Sequence, residues 1–186
     1  MQTRGILIPS SLRVEIPEGA AGTRETLKQM RRLVQLGKTN LALRDLTASI
    51  IAAVPGKDFQ GELQALLDFV RQAIRYTLDT NDIEVIQCPI TTWRLGYGDC
   101  DDMAVLLATL CELAGHPAAF IAIGFGEIGQ YSHVMVMASP ADESAFVFLD
   151  PTEAMPPGWF PAGVTCRMIC PITATAETRL TGATWP

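Results

Sequence analysis

Cys100 lies in Gly98-Asp99-Cys100-Asp101-Asp102, directly ahead of an apolar run at helical spacing. His133, one of only two histidines, stands in Tyr131-Ser132-His133-Val134-Met135-Val136, a stretch that reads as a strand. Phe146-Val147-Phe148-Leu149 reads as the next strand and ends in Asp150-Pro151-Thr152. A cysteine at a helix start, a histidine on one strand and an aspartate closing the next form a parts list. They could serve as a thiol nucleophile, its base and the group that orients the base. A helix N-terminus adds partial positive charge that favours a thiolate, and its first backbone N–H can stabilise an oxyanion.

One feature opposes this chemistry. Asp99, Asp101 and Asp102 set three carboxylates beside the thiol, and like charge raises a cysteine pKa. The thiolate is favoured only if a protonated His133 lies closer to the sulfur than they do. In that case Cys100 alkylates at neutral pH ahead of Cys88, Cys111, Cys166 and Cys170. Each part also has a plainer reading. A cysteine near a helix start is commonly a small buried hydrophobe, a strand histidine a satisfied polar residue, and Asp-Pro a turn. Their joint order, each on the right kind of element, is what favours the chemical reading.

The elements that must hold these residues follow from periodicity. Helices are predicted from Thr23 (as N-cap) to about Leu36, from Leu41 to Val54, and from Gln60 to Leu78. A loop with Pro89, Trp93, Gly96 and Gly98 leads into the Cys100 helix, which carries Met103, Leu106, Leu107, Leu110 and Leu113 and stops at Gly115. The period then changes to two. Ala119–Gly124, Tyr131–Ala138 and Ala145–Leu149 read as strands, with a further short one near Val164–Ile169 and an early one over Leu12–Ile16. Helices first and strands after is an α+β pattern with an antiparallel sheet.

Composition narrows the function. Apolar residues make up 48% and charged ones 18%, so the chain can fold without disulfides or metals as staples. A net charge of −6 offers no footprint for nucleic acid. No apolar run is long enough for a membrane span or a signal segment, which points to a cytoplasmic protein. The five cysteines, an odd count, match no zinc-knuckle or CxxC spacing and read as reduced thiols in a reducing compartment. His116, between Gly115 and Pro117, reads as a helix-end cap. Trp93, Tyr97 and Trp159 either line a cleft or pack.

The residues resemble the transglutaminase-like core of the papain-like cysteine hydrolases, over about Thr91 to Phe160. The resemblance rests on Arg94-Leu95-Gly96-Tyr97-Gly98-Asp99-Cys100, on Gly115-His116-Pro117-Ala118, on Ser132-His133-Val134 and on Phe148-Leu149-Asp150-Pro151-Thr152. It implies a nucleophile-bearing helix packed on an antiparallel sheet, and acyl transfer through a thioester. Cys100 would be the nucleophile, His133 the general base and then acid, and Asp150 the residue holding the imidazole tautomer. The second oxyanion donor has no clear match, with Gln87, Trp93 and Tyr97 as candidates. Small proteins of this type also occur among phage and prophage genes.

The expectation is therefore one domain over 1–186: a helical part over 1–90, the core over 91–160 and a C-terminal wrap over 161–186. Its expected activity is that of a cysteine peptidase or amidase acting on a peptide or protein without cofactor or metal. Trp93 and Tyr97 are the expected substrate contacts. An amine-accepting transferase and a non-catalytic binding module on the same fold are the alternatives.

Overall fold

The structure, a computed structural model, describes residues 11–13, 19–78, 85–142 and 145–181. A short strand, β1 (Ser11–Arg13), precedes three helices, α1 (Gly19–Gly37), α2 (Leu41–Ile51) and α3 (Phe59–Ala73). Buried Leu27, Met30, Leu33, Val34 and Gly37 recur every three or four residues on α1, and Leu63, Leu66, Leu67 and Val70 do so on α3. The Asn40 side chain caps α2, accepting from the amides of Ala42 and Leu43, and Asp58 caps α3 through Gly61. Thr23 does not start α1. Its hydroxyl bonds back to the Gly19 carbonyl one turn inside the helix.

The third helix also ends earlier than its periodicity predicts. Ile74 is extended (φ −116°, ψ 121°), and the chain continues as β2 (Arg75–Tyr76). Next come β3 (Val85–Gln87), a short helix α4 (Pro89–Leu95) where a loop was expected, and β4 (Tyr97–Gly98). Two small pairings result: β1 with β3, antiparallel, and β2 with β4, parallel. Part of the early strand predicted over Leu12–Ile16 falls outside the described residues.

Helix α5 (Cys100–Ala114) is the axis of the structure. Asp99 caps it, its side chain accepting from the amides of Asp101 and Asp102 at 3.1 and 3.2 Å, and Gly115 ends it in the left-handed conformation (φ 92°). Residues 101–111 are all buried. The predicted stripe is thus a whole circumference, because α1, α2, α3 and α4 pack on one side and the sheet on the other.

That sheet is antiparallel with order β7-β6-β5-β8, built from β5 (Ala118–Gly124), β6 (His133–Ala138), β7 (Val147–Leu149) and β8 (Cys166–Pro171). Ala118, Phe120, Val134 and Val136 face α5 and the main core. Ile121, Ile123, Met135 and Met137 face a second cluster with Phe148 and Phe160, closed by Leu180 of a last helix, α6 (Ala174–Thr181), where the sequence predicts only a C-terminal wrap. Burial on both faces explains why β5 is apolar without alternation. Among the described residues no helix is long and apolar enough to cross a membrane.

His116 closes the helical layer onto the sheet. Its backbone N–H caps the end of α5 through the Cys111 carbonyl, as expected. Its ring is fully buried: Nδ1 accepts from the Ala141 amide at 3.1 Å, so Nε2 carries the hydrogen given to Glu62 at 2.8 Å. Burial pushes the His116 pKa down, against the raising effect of Glu62. The unfolded chain therefore takes up this proton first as pH falls, and the stability contribution, complete above about pH 6.5, is lost below it. Urea midpoints at pH 7.5 and 5.5 should fall less for His116→Gln than for the native chain. An equal fall would remove His116 as the source of acid sensitivity.

Candidate active site

Cys100 occupies the first position of α5 because Asp99 takes the N-cap role. The approach to it is narrow. A Cβ on Gly98 would come within 2.6 Å of the Asp102 Cβ, so only glycine lets β4 run this close to the helix. Asp102 is itself clamped by Gln87, whose backbone amide and Nε2 donate to its two carboxylate oxygens at 2.7 and 2.8 Å. That use of Nε2 ties Gln87 to positioning the helix start. The Gln87 Oε1 on the same amide is buried without a partner.

His133 begins β6, and Asp150 follows the last residue of β7. Leu149 pairs with Val136, and this antiparallel register carries Asp150 back toward the start of β6. The imidazole Nε2 and the Asp150 Oδ2 are 2.8 Å apart. The other carboxylate oxygen, Oδ1, accepts from the Thr152 amide at 2.9 Å and its hydroxyl at 2.8 Å. Behind the carboxylate, one Arg71 nitrogen (Nη2) donates to the backbone carbonyls of Asp150 and Met155, both at 2.7 Å. Asp150 is buried, which pushes its pKa up, but the His133 and Thr152 hydrogen bonds outweigh burial and hold it below the usual carboxylate value. Its side chain is 2% exposed and that of His133 19%, so the carboxylate acts on the ring and only the ring reaches solvent.

Cys100 is half-buried, with the Val134 backbone N–H hydrogen-bonded to its sulfur. The thiol thus borders the residue next to His133. With Nε2 bound to Asp150, the ring's other nitrogen, Nδ1, is left as the acceptor. Among the described residues the thiol's own hydrogen goes to Asp101 Oδ1 at 3.6 Å, with none to the imidazole. Burial, then the charges of Asp101 and Asp99, drive the Cys100 pKa well above that of a free thiol. Asp101 and Asp99 act on the sulfur and His133 is not among the groups that do, so this arrangement favours the thiol over a ready-made thiolate.

A cleft of about 370 Å³ opens beside the pair, lined by Tyr76, Phe125, His133, Asp150, Thr152, Glu153, Trp159 and Pro161. Trp159 lines it. The expected contacts do not: Trp93 on α4 packs against the main core, and Tyr97 lies exposed on β4 with its carbonyl facing Gln87. Sequence reasoning missed Tyr76 because the helical pattern of α3 runs past it to Leu78. It missed Phe125 because a lone aromatic after a strand carries no periodic signal.

Comparison with curated proteins returns no match. Among solved structures, Legionella pneumophila LapG is 17% identical, with a TM-score of 0.51, over 84% of this chain and 92% of that one. A candidate protease from Parabacteroides distasonis is 14% identical, also with a TM-score of 0.51, over 70% of this chain. The chain spans only 27% of that protein's length. At these identities the likeness is one of fold. The family profile described as the transglutaminase-like superfamily matches residues 44–151, from within α2 to one residue past Asp150. The span reaches well before the Thr91 boundary expected from motifs, because α2 and α3 show only the periodicity common to any amphipathic helix. Covering more than half of the chain and containing Cys100, His133 and Asp150, this match establishes that the chain belongs to the transglutaminase-like superfamily.

Proposed function

We propose that this protein is a cysteine peptidase or amidase that cleaves a peptide or amide bond through a thioester on Cys100. The observation that carries the reading is the 2.8 Å contact between His133 and a buried, oriented Asp150, formed beside a thiol bonded by the next residue's amide. The protonated thiol calls for general-base catalysis rather than a stored ion pair. As Cys100 Sγ attacks the carbonyl carbon, its proton passes to His133 Nδ1. The imidazolium so formed is stabilised by Asp150.

The Cys100 backbone N–H, first of α5 and without an acceptor among the described residues, supports the developing oxyanion. Collapse of the tetrahedral species breaks the C–N bond, and the His133 proton leaves with the amine. Water then attacks the thioester, giving its proton to His133, and the carboxylic acid departs as the thiol is restored. The solvent-facing cleft, with Tyr76 and Phe125 each 47% exposed at its rim, favours water as acceptor. Five free thiols fit a reducing compartment such as the cytoplasm.

Two measurements test this reading. On a peptide found by library screening, Cys100→Ala should abolish turnover, and Asp150→Asn should lower kcat by about 10²–10⁴-fold by favouring the wrong tautomer. Full activity of the Cys100→Ala protein would refute the proposal. If a millimolar primary amine is incorporated in preference to water, the enzyme is a transferase instead.

The second concerns the thiol alone. Iodoacetamide should alkylate Cys100 at a rate that climbs through the alkaline range without a neutral plateau. Asp101→Asn should raise the rate at pH 7.5 by about threefold or more, because the nearest opposing charge is gone. A rate that is flat from pH 6 to 9 would mean that the thiolate pre-exists.

A further inference from the structure

We infer that the cleft beside His133 receives a cationic side chain, with Glu153 as the residue that selects it. On the reading of Cys100 as nucleophile, substrates of this protein then carry lysine or arginine at the acyl carbonyl. The cleft's volume, about 370 Å³, stands at the small end of ligand sites and suits one long side chain with its flanking backbone. Its walls are aromatic or apolar: Tyr76, Phe125, Trp159 and Pro161. Such walls accept the methylene stem of lysine or arginine, and ring faces attract the charged end.

The charge of the lining has one sign. Glu153 and Asp150 contribute carboxylates, and among the described residues no lysine or arginine lines the cleft. Asp150 is buried and already bonded by His133 and Thr152. The exposed Glu153 carboxylate is therefore the one placed to meet a ligand. Arg71, outside the lining, feels Asp68, Asp150 and Glu153, but its Nη2 is held by the Asp150 and Met155 carbonyls.

An independent sign of the field comes from Tyr76. Its phenol pKa is raised by burial first, and then by Cys100, Asp99, Asp101 and Asp150. With Cys100 a neutral thiol at rest, the standing negative potential on this wall of the cleft comes from Asp99 and Asp101 at the start of α5 and from Asp150 after β7. A glutamate side chain entering it would meet the like charge of Glu153 and Asp150, whereas a neutral one would gain only the apolar contact.

The test compares peptidyl chloromethyl ketones identical except for the residue next to the reactive carbonyl: lysine, its uncharged isostere norleucine, and glutamate. Peptide mapping follows alkylation of Cys100 in the folded protein. Lysine should outpace norleucine by about tenfold, the combined worth of an exposed cation–π contact and an exposed ion pair. Glutamate should be slowest. In Glu153→Gln the lysine advantage should shrink several-fold while the norleucine rate holds. Norleucine matching lysine, or an undiminished preference in Glu153→Gln, would overturn the inference and leave the hydrolase reading intact. If none of the three labels folded Cys100 faster than the urea-unfolded chain, the hydrolase reading falls and this inference with it.

Discussion

Everything at the site depends on α5 being buried around its whole circumference. Helices cover one side and the sheet the other, so the helix can neither rotate nor slide without opening a cavity in close-packed core. Shortening one of its leucines, such as Leu107, would cost about 2–5 kcal/mol on general grounds. That burial fixes where the first residue of the helix points. The Asp99 cap and the Gln87–Asp102 clamp then determine the first turn, where Cys100 packs its half-buried side chain against the core.

The base arrives from the other layer. His133 and Asp150 lie on neighbouring strands whose register brings ring and carboxylate together, while Arg71 ties the Asp150 backbone to α3. The site is thus assembled across the interface between helices and sheet. The electrostatics of its two sides differ. Asp150 is kept ionised by bonds that act on its charged form, whereas Cys100 is kept neutral by burial and by its aspartate neighbours. Acid and base are separated in the resting protein, and the proton has to move only when a carbonyl is in reach.

Most of this was legible in the sequence where a local signal exists. Asp99 before Cys100 announces a helix start, Gly115 announces its end, the alternation around His133 announces a strand, and Asp150-Pro151 closes the next one. The parts that were not legible depend on partners distant in sequence. Helical spacing runs on through Ile74 to Leu78, and only pairing with β4 turns Arg75–Tyr76 into a strand. Strands as short as β3 and β4 have too few residues to show a period. Trp93 and Tyr97 stand nearer Cys100 in sequence, yet Trp159 and Tyr76 line the cleft, because chain proximity says nothing about which side of α5 a residue reaches. Arg71 looks like any solvated helix cation until Asp150 is brought to it.

The protonated state of Cys100 bears on how long such a protein lasts. Peroxide attacks thiolates, and the first rung of cysteine oxidation, the sulfenic acid, is reached from that form. A nucleophile held as a thiol by burial and by Asp101 and Asp99 is largely withheld from that reaction while no substrate is bound. The same burial and the same two carboxylates, Asp101 and Asp99, that oppose easy alkylation therefore also shield the sulfur from oxidants.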